Sequence, residues 1–343
     1  MSKAATATLV VGPRWIGDMV MAQALFMDLH ARRPGVVVDV VAPGWSLPLL
    51  ERMPEVRRGI ELETAHGEFG LRKRRALGRS LRAAKYGQAI VLPRSMKAAL
   101  VPFFARIPRR TGFRGEYRFG LLNDIRPFDD DRLDQTVKRF LELGREQGEA
   151  ASIVIPSPHL RSDAARLDAL SRQLGIPSGL PIVAVMPGAE YGSAKRWPVE
   201  RFGELVQRLA RRRCAVVLLG SAKEAEIGAA VAAIADSRQV LNLCGKTALV
   251  DAVDILAAAA IALSNDSGLL HVAAAVGIPV VALYGSSTPD FTPPLTRKAT
   301  VIYERVDCSP CFERTCPLQH FACMHAISVD KVERALTARL ALD

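Results

Sequence analysis

No apolar run in this 343-residue chain approaches the roughly 18–20 residues that a membrane-crossing helix requires, which excludes helical spans. The opening residues 1–8 are small and polar and lead straight into an apolar β-branched stretch, so no secretory leader is expected. A cytoplasmic location follows, with its six cysteines kept as reduced thiols rather than disulfides. Aromatic residues are sparse at 6%, and no nucleic-acid-binding signature is present, which argues against a nucleic-acid partner. There is no fixed-period repeat and no low-complexity tract, which excludes a repeat architecture. Two phosphate motifs are approached and missed. Residues 12–18 carry glycines at the wrong spacing for a dinucleotide fingerprint, and Gly245-Lys246-Thr247 has Val240 where a P-loop needs its first glycine.

What is there is a globular composition, 49% hydrophobic and 24% charged, in a chain too long for one comfortable core. The net charge of +11 is gathered in one place. Between Arg72 and Arg118 stand fourteen Lys and Arg residues against Glu116 alone, and the rest of the chain is slightly acidic. Such a segment is either a solvated basic face or a surface for an anionic partner, with Arg72, Arg75, Arg94, Lys97 and Arg114 the residues expected to meet it.

Apolar β-branched runs at 8–11, 36–41, 88–92, 182–186, 215–219, 240–243, 261–263, 280–284 and 300–303 alternate with amphipathic stretches such as 199–212 and 222–234. Apolar strands separated by helices predict parallel sheets covered on both faces, a doubly wound α/β protein. The expected domains are 1–165 and 175–325, with the proline-bracketed helical stretch 162–174 as a linker. Residues 326–343 form a terminal segment with a helix over 329–340, whose packing the sequence does not specify.

Three loops carry candidate chemistry, each at the end of a predicted strand. In the first, residues 12–18, Gly12 and Gly17 allow close backbone approach to a ligand. Asp18 falls where the next helix begins, either as an ordinary N-cap worth about 1 kcal/mol or as a carboxylate available as a general base. In the second, residues 187–198, Lys195 and Arg196 are adjacent cations just ahead of Pro198, which suits a helix start. They are either solvated charges or partners of a diphosphate. In the third, Asp266, Ser267, Gly268 and Leu269 open the helix that follows the run 255–263, where free N–H groups can cradle phosphate oxygens. His271, one turn on, is either a satisfied core histidine or a phosphate donor. Cys308, Cys311, Cys316 and Cys323 form C-x2-C-x4-C-x6-C, with His320 and His325 nearby. That density allows zinc or an iron–sulfur cluster, but the spacing matches no standard pattern, so a metal-free thiol loop stands beside those readings.

The stretches Gly12-Pro-Arg-Trp-Ile-Gly-Asp18, Pro187-Gly-Ala-Glu through Ala194-Lys-Arg-Trp-Pro198, and Asn265-Asp-Ser-Gly-Leu through Ser287-Thr-Pro-Asp-Phe-Thr-Pro-Pro294 together resemble glycosyltransferase family 9, the bacterial heptosyltransferases. The similarity runs through nearly the whole chain, and the cysteine cluster looks like one seen in many members. The resemblance implies a GT-B fold, two Rossmann-like domains facing across a cleft, the first for the acceptor and the second for the donor. It implies transfer of L-glycero-D-manno-heptose from ADP-heptose, with inversion, onto the first heptose of the lipopolysaccharide inner core (Kdo–lipid A bearing one heptose). It also implies a peripheral position on the anionic inner face of the cytoplasmic membrane. Asp18 matches the family's proposed base and Lys195 the lysine that contacts the diphosphate. Gly17, Arg196, Glu224, Asp266, Ser267, Gly268, Leu269 and His271 fall in the donor loops. Family members that add the first heptose carry small hydroxyl residues in place of Pro13-Arg14-Trp15, and threonines in place of Glu190 and Tyr191. No cofactor or divalent metal is expected, since Lys195 and the N–H groups around Ser267 can stabilise departing ADP. Transfer to another core position, and a non-catalytic nucleotide-sugar or nucleic-acid binding module, are the alternatives. Asp18 favours the enzyme, because a pure binder needs no base there.

Overall fold

The computed structural model of the chain describes residues 7–65, 67–149 and 153–340. Residues 1–6, which the leader reading concerns, and 341–343 of the terminal segment lie outside them. The chain divides into two compact units between Pro158 and His159.

The first unit is a six-stranded sheet in the order β3-β2-β1-β4-β5-β6, with β1 Ala7–Val11, β2 Val37–Ala42, β3 Val56–Glu61, β4 Gln88–Val91, β5 Arg109–Phe113 and β6 Asp124–Arg126. All its pairings are parallel. β1, β2 and β4 are apolar almost throughout because both sheet faces are covered. The helix Ile16–Arg32 buries Met19, Val20, Leu25, Phe26 and Leu29, and Gly144 of the helix Thr136–Gly144 abuts Leu25. β3, β5 and β6 carry no apolar run, and four of their arginines are matched internally. Arg57 and Arg58 of β3 reach buried Asp39 of β2, and Arg109 of β5 and Arg126 of β6 share Asp124. Part of the basic segment is therefore interior rather than surface. Arg118 is 2% exposed and donates to the carbonyls of Pro93 and Phe113. Burial first, and then the nearby Arg94 charge, push its pKa down to about 10.

The second unit repeats the plan. β7 Ile182–Met186, β8 Ala215–Leu218, β9 Val240–Asn242, β10 Ile261–Asn265, β11 Val280–Tyr284 and β12 Ala299–Tyr303 form a parallel sheet in the order β12-β11-β10-β7-β8-β9. The stretch read as a linker is the helix Ala164–Leu174, and it belongs to this unit. Asp163 caps it, the Asp163 N–H donates to Asp254 at 2.8 Å, and Arg166 pairs with Asp251 and Asp254. The terminal helix Val329–Thr337 starts at a Ser328 cap and sends Val332 and Leu336 into the core formed by Val183, Phe202, Val216 and Leu283.

Numbered within its own unit, each sheet has the order 3-2-1-4-5-6 of the doubly wound nucleotide-binding fold. In such sheets the crevice opens at the carboxyl ends of the two strands where the order reverses, here β1 and β4 in one unit and β7 and β10 in the other.

Candidate active site

In the second unit both switch-point loops are polar and tied together. β10 ends at Asn265, whose side-chain amide donates to Pro187 O at 2.8 Å and whose oxygen accepts from Trp197 N at 3.0 Å. Asp266 follows. Its Oδ2 accepts from Lys195 Nζ at 2.5 Å and from Ser287 Oγ at 2.6 Å, and His271 Nε2 lies 3.9 Å from its Oδ1. Lys195 closes the short 3-10 turn Ser193–Lys195 after β7, with Nζ 5.0 Å from the Tyr191 ring centroid. Ser267 is the N-cap of the helix Gly268–Ala275, yet no side chain caps that helix. Ser267 Oγ instead faces Ser264 Oγ at 3.1 Å, which leaves the first-turn N–H groups, Leu269's among them, as an anion cradle. Burial lowers the pKa of His271 below 6.5; Asp266 opposes this and Lys195 adds to it, so the imidazole is neutral at pH 7.

The other donor candidates are placed at the same end of the sheet. Arg196 curls back onto Ala189 O. Glu224 is buried and closes a capping box with Ser221, and its Oε1 lies so close to Gly188 that a Cβ there would stand 1.8 Å from it. The loop is clasped from outside by the cysteine-bearing segment, since Ala194 N donates to Arg314 O at 3.0 Å and Tyr191 OH to Phe312 O at 2.9 Å.

In the first unit a cavity of about 360 Å³ lies at the carboxyl ends of β1, β2 and β4. Its charged lining residues are Asp18, Arg14, Arg74, Arg94, Lys97 and Arg139, five cations and one carboxylate. Asp18 is the third residue of its helix and Trp15 holds the N-cap position, so the N-cap reading of Asp18 is corrected. Gly17 is buried in the same turn. The Arg94 and Arg139 guanidinium carbons lie 4.1 and 4.9 Å from the Phe128 ring centroid. Lys97 is anchored on the carbonyls of Gly67 and Glu68, and Arg14 on Thr64. Of the basic residues singled out in the sequence, Arg94 and Lys97 line this cavity, whereas Arg72, Arg75 and Arg114 are exposed and outside it. Arg14, Arg74 and Arg139 were missed. Arg14 lies inside the first motif and had a signal, but Arg139 stands outside the basic segment and had none.

All four clustered cysteines are unpaired thiols lining a separate cavity of about 20 Å³ with His320. Among the described residues no three His, Cys, Asp or Glu side chains are gathered to hold a metal ion. Burial raises the pKa of the Cys316 thiol, but backbone N–H groups of Phe321, Leu318, His320 and Gln319 outweigh it and leave the net shift downward.

Two Rossmann-ordered units in one chain, one with a lysine and an uncapped helix start at its switch point, fit the class of GT-B glycosyltransferases. The model of glycosyltransferase family 9 (heptosyltransferase) matches residues 74–322, and the chain belongs to that family. It is 46% identical over 302 residues to lipopolysaccharide heptosyltransferase 2 of Salmonella typhimurium, covering 86% of this chain and 87% of that one. The solved structure of Escherichia coli ADP-heptose lipopolysaccharide heptosyltransferase II superposes with a TM-score of 0.87 at 42% identity, covering 98% of each chain. A family 9 glycosyltransferase from Veillonella parvula superposes with a TM-score of 0.83 over 99% of this chain and 98% of its own, and at 18% identity that likeness is one of fold.

Proposed function

We propose that the protein transfers L-glycero-D-manno-heptose from ADP-heptose onto the first heptose of the lipopolysaccharide inner core, inverting the anomeric centre. The relatives named lipopolysaccharide heptosyltransferase 2 support the acceptor, and the neighbouring structure's name supports the donor. One observation carries the mechanism: Asp18 is the sole carboxylate among the described lining residues of a cavity otherwise charged by cations. An acceptor bearing Kdo carboxylates and phosphates is drawn into such a cavity, and its attacking hydroxyl gives its proton to Asp18. The leaving ADP bears the developing charge, which Lys195 and the N–H groups of the helix Gly268–Ala275 neutralise. Asp266 and Ser287 fix the lysine for that task. No divalent ion has a role in this scheme, so transfer should persist in EDTA, and its loss there would overturn that part of the scheme.

The acceptor is lipid-anchored, and we place the enzyme peripherally at the inner face of the cytoplasmic membrane. No helix among the described residues is long and apolar enough to cross a membrane. The test is a transfer assay with ADP-heptose and acceptors bearing no heptose or one. Only the second should be extended. Asp18→Ala should cut turnover by about 10²–10⁴-fold with ADP affinity unchanged. Retained turnover, or transfer to the heptose-free acceptor, would overturn the role or the acceptor respectively.

A further inference from the structure

The basic segment separates in the structure into two sets of side chains. Arg74, Arg94 and Lys97 turn into the cavity. A second set lies outside it and is joined through a chain of contacts. The helix Leu71–Ser80 carries exposed Arg75 and Arg79 and rests on the helix Leu100–Phe104, where a Cβ at Gly78 would stand 2.6 Å from Val101 O. Arg82 donates to Phe104 O at 2.9 Å. Arg110 lies 5.8 Å from the Phe103 ring centroid and pins the turn after it by donating to Leu121 O at 2.6 Å and Gly120 O at 3.4 Å. The turn presents Tyr117, 90% exposed, and Phe119, 64% exposed, and Phe103 beside it is 40% exposed. Arg106, Arg79 and Arg75 stand near enough to exposed Arg82 to act on it as like charges.

We infer that this outer face is a docking surface for an anionic lipid bilayer, with the arginines on the headgroups and the side chains of Tyr117 and Phe119 at the interface. Two independent features point there. Clustered like charge, exposed Arg82 with exposed Arg75, Arg79 and Arg106 about it, is self-repulsive in water and is relieved by a surface of opposite sign. Aromatic side chains on a turn tip are poorly placed for solvent but suit the headgroup depth of a membrane, where one end of the ring system stays wet. A nucleic-acid partner calls for stacking aromatics in a groove, whereas these stand on an outer turn. The inference rests on the lipid-anchored acceptor proposed above, to which it brings the enzyme, but it is testable without that acceptor.

The experiment is sedimentation of the full chain with vesicles of phosphatidylcholine alone or mixed with phosphatidylglycerol, over a range of salt. Binding is expected to the mixed vesicles only and to weaken as salt rises. Arg79→Glu with Arg106→Glu should lower partitioning by about tenfold or more, and Tyr117→Ser with Phe119→Ser should lower it in high salt, where the aromatic part remains. Both double variants should keep wild-type turnover on a short water-soluble acceptor. Arg94→Ala should show the converse: unchanged vesicle binding and impaired turnover. Binding to phosphatidylcholine alone at the same level would overturn the inference. So would double variants that bind like wild type, or a DNA duplex that displaces the vesicles while the aromatic variant behaves normally. If the wild type transfers no heptose yet binds as described, the proposed function fails and the docking surface stands.

Discussion

At the scale of single residues, the second site depends on one carboxylate used for positioning. Asp266 is 5% exposed, and its Oδ2 takes Lys195 and Ser287 together. Truncating Lys195 removes the cation proposed for the diphosphate and leaves buried Asp266 with the Ser287 hydroxyl and, 3.9 Å away, His271. Lys195→Ala should therefore weaken ADP binding by about 10- to 100-fold, the range for a charge-assisted hydrogen bond, measured by calorimetry. Asp266→Asn keeps a partner for Ser287 and releases the lysine, so its loss should be smaller; a larger loss would mean that Asp266 itself meets the ligand. His271 gives a pH signature. Burial lowers its folded pKa, so below 6.5 the unfolded chain takes up a proton that the folded chain refuses. Stability from this group is full above 6.5 and declines as pH falls, by at most about 1.4 kcal/mol per pH unit. Urea midpoints measured from pH 7 downward should fall less steeply in His271→Gln than in the wild type, and equal slopes would assign the decline elsewhere.

At the scale of elements, the loop after β7 is shaped by its neighbours more than by its own sequence. Gly192 is extended, with φ at 167°, so any residue fits its backbone. What it cannot take is bulk, since a Cβ would stand 2.0 Å from Arg314 O. Gly192→Ala should force the cysteine-bearing segment off the loop, costing about 1–3 kcal/mol and weakening ADP binding through Lys195. An unchanged unfolding midpoint with normal ADP affinity would show that the clasp has no such role. The same dependence on neighbours decided what was legible in the sequence. β1, β2, β4, β7 and β10 announce themselves because a strand buried on both faces must be apolar. β3 (Val-Arg-Arg-Gly-Ile-Glu), β5 and β6 hide, because their arginines find Asp39 and Asp124 only after folding. Lys195, Asp266 and Ser267 stand out as candidates because polar loops at strand ends are where such sheets bind ligands, and the structure does bring Lys195 to Asp266 beside the helix that Ser267 opens. Of the cavity's cations, Arg94 and Lys97 stand among the basic residues singled out, but Arg74 cannot be told from its neighbour: Arg74 and Arg75 are adjacent in sequence, and one is buried while the other is exposed. The inward direction is set by the helix Leu71–Ser80 resting on its support.

At the scale of the molecule, one strand order is used twice and filled with different chemistry: carboxylate and cations in the first unit, lysine and helix N-terminus in the second. The first unit must hold many arginines in a small sheet, and Asp39 shows how. It is fully buried in β2 and accepts from Arg57 at 2.8 and 2.5 Å, from Arg58 at 3.1 Å and from Tyr86 OH at 2.5 Å. Burial acts to raise its pKa, but those donors prevail and hold it below the ordinary 3.8. The unfolded chain then binds a proton at Asp39 more readily than the folded one. The stabilisation is complete above 3.8 and is lost as pH falls through the folded value. Asp39→Asn should cost about 3 kcal/mol near neutral pH, the low end for breaking a buried pair, because Arg57 and Arg58 are half exposed and can rehydrate. The stability gap between wild type and variant, taken from urea unfolding across a pH series, should stay level from neutrality down to about pH 4 and narrow below it. A gap that widens in acid would reverse the sign of the linkage and remove Asp39 as the anchor of β2 to β3.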